Sequence, residues 1–195
     1  MGRNVFRTTC EQSGANRFGL WLFLAALAIL FAAALLVMLA IRLEAVRWPD
    51  VLPPLPGVLW LSTGVLIASG AATQWGVLAS KNDRLPAMRI ALTGSLFLTI
   101  VFLFMQIIAW QEWTDAIRVL SEQDEGHRLA GTGLLVLIGL HGAHIIAGMI
   151  PLAVVVWWAL VRGAAAPFLN STVIYWHFVD VIWLALVIFI MCVFY

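Results

Sequence analysis

The chain has 195 residues, of which 63% are hydrophobic and only 11% charged, and its mean hydropathy is +1.00. That balance excludes an ordinary soluble domain and makes lipid the solvent. Net charge is +1, with basic residues scattered and no basic stripe or aromatic platform, so nucleic acid is set aside as a partner.

Five stretches reach the roughly 20 apolar residues that a hydrocarbon core of about 30 Å requires. They run over residues 18–41, 57–79, 90–113, 129–161 and 168–195. Barrel strands would alternate over roughly ten residues, so continuous runs of this length are helices. The expected fold is all-α, a single polytopic membrane domain over 1–195 built as a bundle of five transmembrane helices.

The first span is preceded by a short polar tail and lacks the short apolar core and small-residue cleavage site of a signal peptide, so it is expected to stay in the mature protein. The loop after it holds Pro49, Pro53, Pro54 and Pro56, which stop a helix and stiffen the crossing. On the second span Gly64, Ala68 and Ala72 recur every four residues, and on the fourth Gly139, Ala143 and Ala147 do the same. Small residues let helices approach closely in lipid, so both faces read as packing seams, against this chain or against a partner. Trp21, Trp60, Trp113, Trp157 and Trp158 stand at span ends and fit an interfacial aromatic belt. The loop between the third and fourth spans carries Asp115, Glu122, Asp124 and Glu125 against Arg118 and Arg128. It reads either as a solvated acidic face or as a docking patch for a basic electron donor.

Lys and Arg counts set the orientation. Arg3, Arg7, Arg17, Lys81, Arg84, Arg89 and Arg162 lie on one side; Arg42, Arg47, Arg118 and Arg128 lie on the other. The N-terminus is expected in the cytoplasm and the C-terminus outside. Cys10 and Cys192 then lie on opposite sides, which excludes an intrachain disulfide.

Ionisable groups inside the bilayer are few: His141 and His144 on the fourth span, His177 and Asp180 on the fifth, with Gln106 on the third as a neutral companion. Each ionisable pair is spaced i, i+3 and shares one helix face. If the fourth and fifth spans form a tight hairpin centred at 164–165, His177 lies level with Leu152 and Asp180 with Met149. His177 is then roughly 12 Å in depth from His144, which makes a shared haem awkward. Two histidines alone are too few for a closed zinc site. The expected role of these groups is as interior hydrogen-bonding fasteners, with His177 and Asp180 as a mutually satisfied pair. A proton relay is the functional alternative, and it lacks further titratable groups in the first three spans.

The fifth span reads Tyr175-Trp176-His177-Phe178-Val179-Asp180-Val181-Ile182-Trp183-Leu184, and this closely resembles the signature of the cytochrome c oxidase subunit III family of haem-copper terminal oxidases. The run Gly139 to Gly148 around His141 and His144, the polar-spotted run Leu61 to Gly70, and Gln106 with Trp110 are similar to that family's other core helices. The resemblance implies a short, five-helix bacterial type that packs on oxidase subunit I beside subunit II. It further implies bound phospholipids between the helices, support for proton uptake and durable turnover, and no redox centre in this chain, haem and copper residing in the partner subunits. His141, His144, His177, Asp180 and Gln106 are the candidate interior polar or lipid contacts; no catalytic, cofactor-binding or metal residue is expected.

Two positions depart from the family pattern. Leu27 stands where the first core helix carries a membrane-embedded Glu, and Ala109 stands where a second Glu is placed, with Glu112 one turn onward. Both weaken an inherited proton-antenna role. The other readings are a subunit III-like accessory of a nitric oxide reductase, or a freestanding proton channel or transporter, which would need a continuous polar path or broken paired helices.

Overall fold

The computed structural model describes residues 3–44, 55–121 and 125–194, with side chains described over most of residues 16–44, 55–118 and 131–192. Five helices follow in chain order: α1 (Arg3–Glu44), α2 (Gly57–Lys81), α3 (Leu85–Ser121), α4 (Glu125–Arg162) and α5 (Leu169–Phe194). Among the described residues there is no strand. Each expected span corresponds to one helix, the fifth helix starting one residue after the expected start, and the protein is a multi-pass membrane bundle. Four helices contain apolar segments long enough to cross a bilayer: Asn16–Glu44, Leu85–Ala116, Gly131–Arg162 and Leu169–Cys192. The fifth, α2, has 25 residues and so is about 37 Å long, enough to cross. Its apolar run is broken by Ser62, Thr63, Ser69, Thr73 and Gln74.

Local chemistry sets the helix ends. Pro56 precedes α2, where its missing N–H costs nothing. After Lys81 the backbone closes at Asn82 and Asp83. Asp83 takes φ 54°, a left-handed conformation that Asp tolerates better than most residues, and the Arg84 amide returns to the Ala79 carbonyl at 2.9 Å. Gly163, at φ 63°, ends α4 in the same way. Arg89, which sequence assigned only to a basic loop, lies half-buried and donates from Nε to the Ala159 carbonyl at 3.0 Å. It thereby satisfies one of the last free carbonyls of α4 with a cation, where the helix dipole favours positive charge.

The helices alternate in direction. Arg17 of α1, Lys81 of α2 and Asn170 of α5 meet at one end, while Pro56 of α2, Trp113 of α3, Leu134 of α4 and Ile190 of α5 meet at the other. α2, α3, α4 and α5 form the body of the bundle, and among the described residues α1 packs on α4 and α5. The larger core gathers Phe31, Phe102, Trp176, Trp183 and Leu186; a smaller one near the Arg17 end gathers Met88, Leu92, Val155 and Val173.

Several expectations change. The polar tail before Arg17 continues α1, which is helical from Arg3 onward. Trp21, Trp60 and Trp157 face outward as belt residues do, but Trp113 is buried in the body of the bundle. The two small-residue seams do not close this bundle, since Gly64, Ala68, Ala143 and Ala147 are exposed. Close approach occurs instead at Gly70, Gly76, Gly133 and Gly148, where a Cβ would meet Asp180, Leu92, Met38 and the Tyr175 ring respectively. Glycines that admit one large neighbour need no repeat, and the exposed four-residue seams leave the partner-facing one of the two readings. The prolines at 49, 53 and 54, residues 122–124 and the Glu125 and Arg128 side chains lie outside what is described, and with them most of the acidic-patch reading.

Candidate functional site

The polar side chains of the bundle collect on one face of α2, turned toward α3 and α5. Ser62, Ser69 and Thr73 recur at helical spacing, and all three are buried together with Thr63. In lipid, each hydroxyl must find a partner within the protein. Ser69 Oγ lies 3.0 Å from Ser95 Oγ and 3.0 Å from Thr99 Oγ1, a three-hydroxyl cluster that ties α2 to α3. Gln106 Nε2 donates to Ser62 Oγ at 2.8 Å, one turn or more toward the other end, and the Ser62 hydroxyl in turn donates to the Leu59 carbonyl at 2.8 Å. Thr63 accepts from the Trp183 indole at 3.0 Å, joining α2 to α5.

Asp180 and His177 complete this face from α5. His177 Nδ1 stands 3.6 Å from Asp180 Oδ2, and His177 Nε2 donates to Gln74 Oε1 at 3.2 Å. The Asp180 carboxylate rests against the bare backbone of Gly70. Asp180 Oδ1 is buried with no partner among the described residues. The pair therefore differs from the mutually satisfied one expected: the two groups stand beyond hydrogen-bond distance of each other and are anchored on α2 through Gln74 and Gly70.

The α4 histidines face elsewhere. His144 Nδ1 donates to the Leu140 carbonyl of its own helix at 2.7 Å, and its ring meets Phe31 edge-on with centroids 5.2 Å apart. His141 is fully buried and stacked on Trp183 with centroids 5.0 Å apart, and neither of its ring nitrogens has a hydrogen-bond partner among the described residues. His141 is thus held by ring packing, not by the hydrogen bonds expected of a fastener.

The hairpin register also shifts. Tyr175 donates to the His144 carbonyl at 2.8 Å and lies against Gly148, and Trp183 lies against His141. Equal-depth counting from 164–165 places Tyr175 opposite Val154 and Trp183 opposite Ile146. That counting assumes straight helices and a symmetric turn, whereas α4 contains Pro151 and the link covers residues 163–168. His144 and His177 are kept apart by the helix faces that carry them, toward α1 and α2 respectively, and not by depth. Among the described residues no three His, Cys, Asp or Glu side chains converge.

Leu27 and Ala109, the two departures from the family pattern, are both buried. Ala109 borders a small apolar cavity with Leu59, Gln106, Trp113 and Ile138. Sequence reading passed over Thr73, Gln74, Ser95 and Thr99, and named Tyr175 only as part of the signature run. The signal was present, since Ser95 and Thr99 stand four apart on α3 and complement the hydroxyl spacing of α2.

The sequence profile described as Cytochrome c oxidase subunit III matches residues 7–195, nearly the whole chain. The chain belongs to the cytochrome c oxidase subunit III family. Similar proteins include cytochrome c oxidase subunit 3 of Bacillus subtilis (strain 168), 27% identical over 175 residues that cover 87% of this chain and 83% of that protein. The subunit 3 of Alkalihalophilus pseudofirmus is 28% identical over 183 residues, covering 91% and 85%. That of Pisaster ochraceus is 31% identical over 198 residues, covering 92% and 70%. The subunit III signature on α5 is the segment that supplies Tyr175, His177, Asp180 and Trp183. Three of these four contact α2, and Tyr175 and Trp183 contact α4, so the signature segment ties α5 to both neighbours.

Proposed function

We propose that this protein is the noncatalytic subunit III of a haem-copper terminal oxidase in a bacterial cell membrane, with its N-terminus cytoplasmic and its C-terminus outside. It packs on subunit I, lies in the same complex as subunit II, binds phospholipids between its helices and helps sustain proton uptake during turnover. Electrons and oxygen are handled by the partner subunits, whose haem and copper supply the redox chemistry. The observation that carries this reading is the subunit III profile match over residues 7–195, and the named relatives agree with it. Polar groups of α2, α3 and α5 that are spent on one another leave a rigid scaffold, which is what a stabilising subunit requires.

The test is purification of the tagged chain in mild detergent from its own membranes. Recovery with oxidase subunits I and II, in an oxygen-consuming complex whose turnover decays faster once this chain is removed, is the expected result. Recovery with a nitric oxide reductase alone would refute it.

A further inference from the structure

Trp113 is buried where four helices meet, and its indole Nε1 has no hydrogen-bond partner among the described residues. A buried N–H in a bilayer has no lipid group to turn to, so such an orphan calls for a physical account. His141, whose ring nitrogens are also without partners, is enclosed by the Trp183 and Phe31 rings. Trp113 instead borders a cavity at the Pro56 end of the bundle. Gln106, Ala109 and Trp113 form the α3 wall of that cavity, and Leu59, Leu134 and Ile190 face them from α2, α4 and α5. Positions 106, 109 and 113 follow the helical repeat, so one face of α3 carries all three.

The second polar group of the cavity is the Gln106 amide. Its Nε2 donates to Ser62 Oγ, which leaves Oε1 as the free end, an acceptor without a partner among the described residues. One unused donor and one unused acceptor therefore border the same space. Ala109 between them is too small to fill it. The cavity measures about 20 Å³, whereas one water molecule needs about 10 to 15 Å³ of such space and at least two polar partners. Room and partners both match a single water. We propose that this cavity holds one structural water molecule, which accepts from the Trp113 indole N–H and donates to Gln106 Oε1. The water extends the tie between α2 and α3 into one directed series, from Trp113 through water and Gln106 to Ser62 and the Leu59 carbonyl. It also accounts for a tryptophan being held inside the bundle instead of at the interface.

The experiment uses the intact complex in its own lipids, with tryptophan labelled at the indole nitrogen, and reads magnetisation transfer from water to each indole N–H by solid-state NMR. The Trp113 signal is identified by its loss in Trp113→Phe. High-resolution cryo-electron microscopy of the same complex supplies the second measurement. The expected result is transfer to the Trp113 N–H from a bound water that exchanges slowly with bulk, and one density peak about 2.7 to 3.2 Å from both Trp113 Nε1 and Gln106 Oε1. Ala109→Val, which fills the cavity without touching either polar group, loses both the transfer and the peak, whereas Ala109→Ser keeps the room and retains them. Gln106→Leu, which removes the acceptor, weakens the transfer. An indole N–H at position 113 that receives no transfer in the wild-type complex would overturn the proposal. So would transfer that survives Ala109→Val undiminished, or xenon under pressure occupying the wild-type cavity, since a site that takes xenon freely is dry.

Discussion

Gly70→Ala is the smallest change that probes the seam between α2 and α5. A Cβ at position 70 would occupy the space of Asp180 Oδ2 and crowd the carboxyl carbon at 3.3 Å. Asp180 cannot retreat freely, because Val179 and Trp183 around it are buried and His177 is tied to Gln74. Overpacking of this kind costs about 1 to 3 kcal/mol, and replacing a helical glycine by alanine returns about 0.5 to 1 kcal/mol, so the net loss is roughly 0 to 2.5 kcal/mol. For a chain of this length each kcal/mol moves the melting temperature by roughly 2 to 4 °C. The assay is thermal unfolding of the detergent-solubilised complex, together with the fraction of this subunit retained on purification. Asp180→Ser withdraws the intruding oxygen, so in a double-mutant cycle Gly70→Ala should cost less in that background, by about 1 kcal/mol or more. Strictly additive losses in that cycle would show that Asp180 does not rest on Gly70.

Asp180→Asn keeps size and hydrogen-bonding capacity, so a fastener predicts near-normal assembly and turnover, whereas Asp180→Leu should loosen the subunit; equal loss of proton uptake in both, with Asp180→Asn fully assembled, would make the residue a relay. Thr63→Val strands the buried Trp183 N–H at a cost of about 1 to 3 kcal/mol, while Thr63→Ser restores the acceptor, and subunit retention after purification distinguishes them. Impermeant thiol reagents applied to intact cells should modify Cys192, which is exposed, and spare Cys10; the reverse pattern would invert the proposed topology.

How much was legible follows from which physical signal each feature leaves. Five helices were readable because continuous apolar length has one solution in a bilayer. The facing of Asp180 was not readable, because an i, i+3 pair fixes which side of α5 it occupies but not which neighbour stands there. The deciding residue was Gly70, and a lone glycine in an apolar helix carries no mark of the carboxylate it admits. His141 shows the opposite failure. A buried histidine invites hydrogen-bonding partners on chemical grounds, yet the stacked Trp183 and edge-on Phe31 rings surround it instead. The hairpin register failed because counting residues from a turn takes no account of Pro151 or of an asymmetric link.

The distribution of polar groups also bears on the channel alternative. A proton path needs mobile donors in series, whereas Ser62, Thr63, Thr73 and Thr99 each bond a backbone carbonyl of their own helix, and Ser62, Thr63 and Thr99 also serve as fixed partners for a neighbour. Every such bond that closes locally removes one rotor from a chain of transfers and adds one constraint between helices. The hydroxyls between Gln106 at one end and His177 at the other therefore act as ties across α2, α3 and α5. The same residues that would conduct if they were loosely hydrated hold the bundle rigid when each already has its partner.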